Sequence, residues 1–144
     1  METADVELER VLPQEEIPLV DKHVFKGAHV LTNSEINILL SSHLSYKRER
    51  NPSYLPPPVM QRTIDYVGKF NGGKNEEAMQ QIRMILFEDF RFKEFEIGLI
   101  SNLMPQSAEE AATLVPSLKD PERFPTEATL QAALDSISQY YSFD

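Results

Sequence analysis

The chain has 144 residues, 23 acidic and 14 basic side chains, a formal charge of -9 and no cysteine. That length suits one domain whose core needs no disulfides, and the missing cysteines exclude thiol catalysis, disulfide frameworks, zinc fingers and iron–sulfur clusters. The acidity opposes binding nucleic acid mainly by neutralising phosphates, no run of about 18 apolar residues exists to cross a membrane, and the acidic, polar start predicts no secretory or mitochondrial leader.

Residues 1–30 hold seven acids against three bases. Val6 and Leu8 alternate with acids, Ile17, Leu19 and Val20 follow Pro13, and Val24 and Phe25 precede Gly27. Alternation of this kind predicts an extended, strand-like segment. An isolated strand is unstable in water, so it must lie on the rest of the chain or pair with another protein. A frayed acidic tail is the plainer alternative.

Beyond Gly27 the pattern turns helical. Thr32 and Glu35 form a capping box, and Ile36, Leu39, Leu40, His43 and Leu44 then define one face of a helix over about 33–50. His43 is expected to pack on that face. The only stretch in which bases outnumber acids is 31–70, five to three; Lys47, Arg48 and Arg50 read as a solvated helix end, with Arg62 and Lys69 beyond. Asn51, Pro52 and the run Pro56 to Pro58 break the chain. Pro58 then opens a second helix whose stripe is Val59, Thr63, Tyr66 and Phe70, flanked by Ile64 and Val67. Asn71, Gly72 and Gly73 stop it.

Asn75 is a good N-cap, with Glu76 and Glu77 opposing the positive helix end, and Ala78, Ile82, Ile85 and Leu86 give a third stripe. Phe92, Phe95, Leu99 and Leu103 give a fourth, ended by Pro105. Ser107 and Glu110 form another capping box before a short helix, and a last helix over about 126–141 buries Leu130, Ala133, Leu134, Ile137 and Tyr141. The expectation is an all-α domain of about six helices.

Catalytic chemistry finds little footing in these residues. Gly68 to Asn75 reads G-x-x-x-x-G-K-N, close to a phosphate-binding loop, but it follows an amphipathic helix instead of a buried strand, so a helix C-cap and turn explains it. His23, His29 and His43 lack the spacing of a zinc helix. Glu76, Glu77, Glu94, Glu96, Glu109 and Glu110 all fall at helix starts or on solvent faces. No catalytic residue, metal ligand or cofactor site is expected, which shifts weight toward binding.

The stretch from Phe92 to Leu118 says more than periodicity can. Phe95, Glu96, Leu99, Asn102, Leu103, Pro105, Ala108, Glu109, Glu110, Ala111, Leu114, Val115, Pro116, Ser117 and Leu118 resemble a motif of the family of the fourth subunit of RNA polymerase II. Leu31 to Leu40 is similar to that family's L-x-N-x-E-[VI]-x-x-L-L start of its first helix. Thr63, Ile64, Tyr66 and Phe70 are similar to its second helix, and Leu130 to Ile137 to its final one. Three features depart from it: the family's further aromatic after Phe70 is missing, residues 51–58 are proline-rich, and the first thirty residues match only loosely.

The resemblance implies a non-catalytic nuclear protein whose helical body, residues 31–144, resembles the helicase-and-RNase-D C-terminal (HRDC) domain, preceded by a partner-contacting segment over 1–30. It implies pairing with the polymerase's seventh subunit, an OB-fold protein, to form the stalk beside the RNA exit channel, attached to core RNA polymerase II. There it would support initiation, factor recruitment and the handling of nascent RNA, with RNA held mainly by the partner. The expected contacts are Val6, Leu8, Val11, Leu12, Ile17, Leu19, Val24, Phe25, Ile36 and Leu40. No cofactor, membrane or small-molecule substrate is implied. The alternatives are the equivalent subunit of RNA polymerase III and a free-standing HRDC-like nucleic-acid-binding module using Lys47, Arg48, Arg50, Arg62 and Lys69, which the overall charge and the lack of stacking aromatics among those bases oppose.

Overall fold

The computed structural model describes residues 27–72 and 74–141. The strand-like segment expected before Gly27 lies outside the described residues, whose regular structure is all helical.

Helix α1, Asn33–Arg50, starts where its capping box requires. Thr32 Oγ1 accepts from the Glu35 N–H at 3.2 Å, and Glu35 Oε1 accepts from the Thr32 N–H at 2.9 Å. Helix α2, Pro58–Lys69, has proline in its first turn, where no backbone N–H is needed. Helix α3, Glu76–Met84, is capped by Asn75, whose Oδ1 accepts from the Ala78 N–H at 2.8 Å. It runs directly into a π-helical turn, Ile85–Asp89. That turn closes with the Phe92 N–H donating to the Leu86 carbonyl at 2.8 Å while Arg91 takes a left-handed φ of 56°.

Helix α4, Glu94–Leu103, ends on Met104 at φ 50° before Pro105. Helix α5, Ala108–Leu114, is followed by a 3-10 turn, Pro116–Lys119, and then by α6, Glu127–Ser138. At the start of α5 half of the expected box forms. Ser107 Oγ accepts from the Glu110 N–H at 3.2 Å, but the Glu110 carboxylate turns to the Gln106 N–H at 2.9 Å.

The core lies among α3 to α6. Ile82, Leu86, Phe92, Ile97, Ile100, Leu118 and Ile137 are essentially inaccessible there, with Ala111 and Ala133 allowing close approach. Phe92 and Phe124 meet edge to face at 5.3 Å. By contrast, α1 buries only Ser34 and α2 only Val67. These two helices form a hairpin, α2 lying on α1 and α1 in turn on α3.

That layout corrects two expectations. The stripe expected to pack on α2 faces solvent, with Val59 75% and Tyr66 56% exposed, while Val67 and the half-buried Ile64 turn inward. Helix α2 has two apolar faces and α1 is its main neighbour, so only one face is covered. His43 is exposed as well, because α1 is packed over its first turns while its far end projects. On α4, Phe95 is buried but Leu103, the last residue of its stripe, is 48% exposed.

Candidate interaction surface

The residues expected to meet a partner divide in two. Val6, Leu8, Val11, Leu12, Ile17, Leu19, Val24 and Phe25 lie outside the described residues. Ile36 and Leu40 lie one turn apart on α1, both half-buried, beside the exposed Leu39.

The way the chain enters α1 is set by Arg83, a residue the sequence did not single out. Its guanidinium donates to Glu35 Oε1 at 2.6 Å, to Glu35 Oε2 at 3.3 Å and to the Val30 carbonyl at 3.0 Å. Glu94 takes the other side, its Oε1 accepting from the Val30 N–H at 3.3 Å and lying 3.1 Å from His29 Nδ1. One cation on α3 and one carboxylate on α4 thus grip residues 29–30 between the core and α1. Gly98 makes that approach possible: a Cβ there would stand 2.8 Å from Val30 Cγ1. The only hint in the sequence was Arg83 itself, the single base in the last turn of α3.

Two adjoining grooves open on either side of Arg83. A smaller one, about 200 Å³, lies toward Leu31, Ile38 and Leu39. A larger one, about 430 Å³, lies toward His29, Met84, Phe87 and Ile97. Their rims are apolar and open, Leu39 and Phe87 each being 56% exposed. His29 lines the larger groove and Leu31 the smaller one, so the chain entering α1 passes between them.

The N-terminus of α1 is anchored by the chain that follows. Asn102 Oδ1 accepts from the Asn33 N–H at 2.9 Å, Asn33 Nδ2 donates to the Phe70 carbonyl at 3.3 Å, and Ser34 Oγ donates to the Asn71 carbonyl. A second tie lies inside the core. Glu96, read from sequence as part of an exposed helix start, is fully buried. Its carboxylate accepts two bonds from Arg123, at 2.8 and 2.9 Å, one from Ser117 Oγ at 2.6 Å and one from the Lys93 N–H at 2.7 Å. Arg123 also donates to Asp120 Oδ2 and to the Arg91 and Ser117 carbonyls, so all five of its N–H donors are used. The bonds to Glu96 push the Arg123 pKa up, and the bond from Arg123 holds the Asp120 carboxyl below its usual range.

The loop that resembled a phosphate-binding motif is disposed differently. Lys74 points inward, its Nζ 3.6 Å from Met104 Sδ and 5.2 Å from the centre of the Tyr141 ring. Burial holds the Lys74 ammonium below its ordinary pKa and pushes the Tyr141 phenol up. A lysine so enclosed cannot reach a solvent phosphate. Among the described residues no three His, Asp or Glu side chains gather as a metal site.

Fold and surface together define an all-helical module that offers apolar grooves and an uncovered helical hairpin. Residues 30–141 match the model of the RNA polymerase Rpb4 family, and the chain belongs to that family. It is similar to DNA-directed RNA polymerase II subunit 4 of Arabidopsis thaliana, 30% identical over 83% of this chain and 88% of that protein. Subunit rpb4 of Dictyostelium discoideum is 30% identical, with 83% of each chain covered. Subunit rpb4 of Schizosaccharomyces pombe is 34% identical over 83% of this chain and 85% of its own. The residues that carried the resemblance serve mainly as internal ties: Glu96 and Ser117 close the core, and Asn102 holds α1.

Proposed function

We propose that this chain is a non-catalytic subunit of DNA-directed RNA polymerase II, acting in the nucleus by holding other proteins in place. The observation that carries this is the family match over residues 30–141, with relatives named as RNA polymerase II subunits on nearly their whole length. Those names favour polymerase II over the equivalent subunit of polymerase III. In this reading the chain has two parts, a partner-contacting segment over residues 1–30 and an HRDC-like helical body over 31–144. The partner is the OB-fold seventh subunit, and the pair forms a stalk on the core enzyme that supports initiation and factor recruitment, the partner holding most of the nascent RNA.

The surface supports an interface of this kind. Ile36, Leu39 and Leu40 expose apolar area on α1 next to the Arg83 grooves. An extended segment with alternating apolar residues is suited to adding a strand to a β-rich partner.

The test is affinity purification of the tagged full chain, with the co-purifying proteins identified by mass spectrometry. The large subunits of polymerase II and one OB-fold protein are expected. Recovery of polymerase III subunits, or of no polymerase at all, would overturn the assignment. Removing residues 1–30, or changing Leu39→Asp, should reduce recovery of the OB-fold protein while the circular dichroism of the helical body is kept. Undiminished recovery from both variants would place the interface elsewhere.

A further inference from the structure

The projecting end of the α1–α2 hairpin carries a feature that the polymerase reading leaves unused. Lys47, Arg48 and Arg50 occupy the last turn of α1, and Arg62 stands in the second turn of α2. Among the described residues none of these four cations is paired with a carboxylate, whereas Arg83 and Arg123 are both engaged in the body. Offsetting a helix dipole does not account for them. A helix C-terminus carries about half a negative charge, and three bases less Glu49 exceed that severalfold.

The aromatics found wanting in the sequence are here as well. The Arg50 guanidinium carbon lies 4.2 Å from the centre of the Tyr46 ring, and Lys47 Nζ lies 5.9 Å above the Tyr54 ring. Tyr46 is 48% exposed. A guanidinium laid against a tyrosine, one turn along an exposed helix, makes a flat platform on which a further planar group can stack. Unpaired cations beside it suit phosphates. Single-stranded nucleic acid offers both groups at once, whereas an acidic peptide offers only the charge.

We propose that this end of the hairpin is a contact site for single-stranded nucleic acid, with Tyr46 and Arg50 stacking a base and Lys47, Arg48 and Arg62 holding the flanking phosphates. The site belongs to this chain alone and needs no partner, so its failure would leave the polymerase assignment untouched.

The experiment is fluorescence anisotropy of a short labelled oligouridylate with the isolated full chain across a salt series. Binding should weaken with salt on a log–log slope of about -2, as for some three phosphate contacts to a single strand. Tyr46→Leu and Arg50→Lys should each lower affinity about tenfold, the scale of one stacked base, without changing that slope. Lys47→Gln with Arg48→Gln should flatten the slope. All these side chains lie on the projecting end, so melting temperature should hold and serves as the folding control. Wild-type affinity in both Tyr46→Leu and Arg50→Lys would reduce the patch to plain charge attraction and overturn the site. Displacement by polyglutamate as effective as by unlabelled oligouridylate would identify an acidic polypeptide surface instead, and absence of binding at low salt would end the proposal.

Discussion

Replacing Arg123 by methionine tests how the core is closed. Glu96 is fully buried, and Arg123 supplies two of the four bonds to its carboxylate. Without the guanidinium the charge keeps only the Ser117 hydroxyl and the Lys93 N–H. Breaking a buried pair by removing one partner costs about 3–5 kcal/mol, because the survivor is left uncompensated. With a urea m-value of about 2 kcal/mol/M for a domain of this size, the unfolding midpoint should fall by about 1.5–2.5 M. Glu96→Gln should cost less, about 2 kcal/mol, since Arg123 keeps Asp120 and two carbonyls. The double variant Glu96→Gln/Arg123→Met should lose less than the two single costs added together, by about 2 kcal/mol, because the orphaned charge is gone. Urea unfolding followed by far-UV circular dichroism measures all three. Additive effects, or a loss below about 1 kcal/mol for Arg123→Met, would refute the claim that this pair is a coupled, desolvated unit.

Two further outcomes follow from particular contacts. Gly98→Ala should cost about 1 kcal/mol net, because the clash with Val30 outweighs the better helix propensity; in a Val30→Ala background the same change should become stabilising, and an unchanged sign in thermal melts would show that Val30 does not press on α4. At alkaline pH Lys74 and Tyr141 should pull in opposite directions. The folded lysine, its pKa lowered, releases its proton before the unfolded one does, so its contribution to stability rises with pH up to about 10.5. The buried phenol, its pKa raised, stays neutral while the unfolded one ionises, so its contribution falls above about pH 10. Urea midpoints from neutral pH to about pH 11 should therefore decline at the alkaline end for Lys74→Met and not for Tyr141→Phe; parallel curves for the two variants would contradict the assignment.

The sequence by itself determined the all-helical class, the starts of α1, α2, α3 and α5 and the caps at Thr32, Asn75 and Ser107, because these depend on neighbours within one turn; the last helix, expected to reach 141, ends at Ser138. The family motif was legible too, and with it the order of the helices from Leu31 to Ile137. Only the tertiary structure decided which apolar faces are covered. Periodicity marks the stripe of Val59, Thr63, Tyr66 and Phe70 as a face, yet it cannot count the neighbours available, and α2 has one main neighbour for two faces. The same holds for His43 on the projecting end of α1. Glu96 and Arg123 are 27 residues apart in the chain, and their identity as a buried pair depends on α4 and the stretch before α6 meeting in space. The grip of Arg83 on residues 29–30 was likewise invisible, since Glu35 and Val30 are 48 and 53 positions away from it. Local chemistry writes helices, caps and the contact of Arg50 with Tyr46 one turn before it, while burial and charge pairing across the chain arise only when the helices are set against one another.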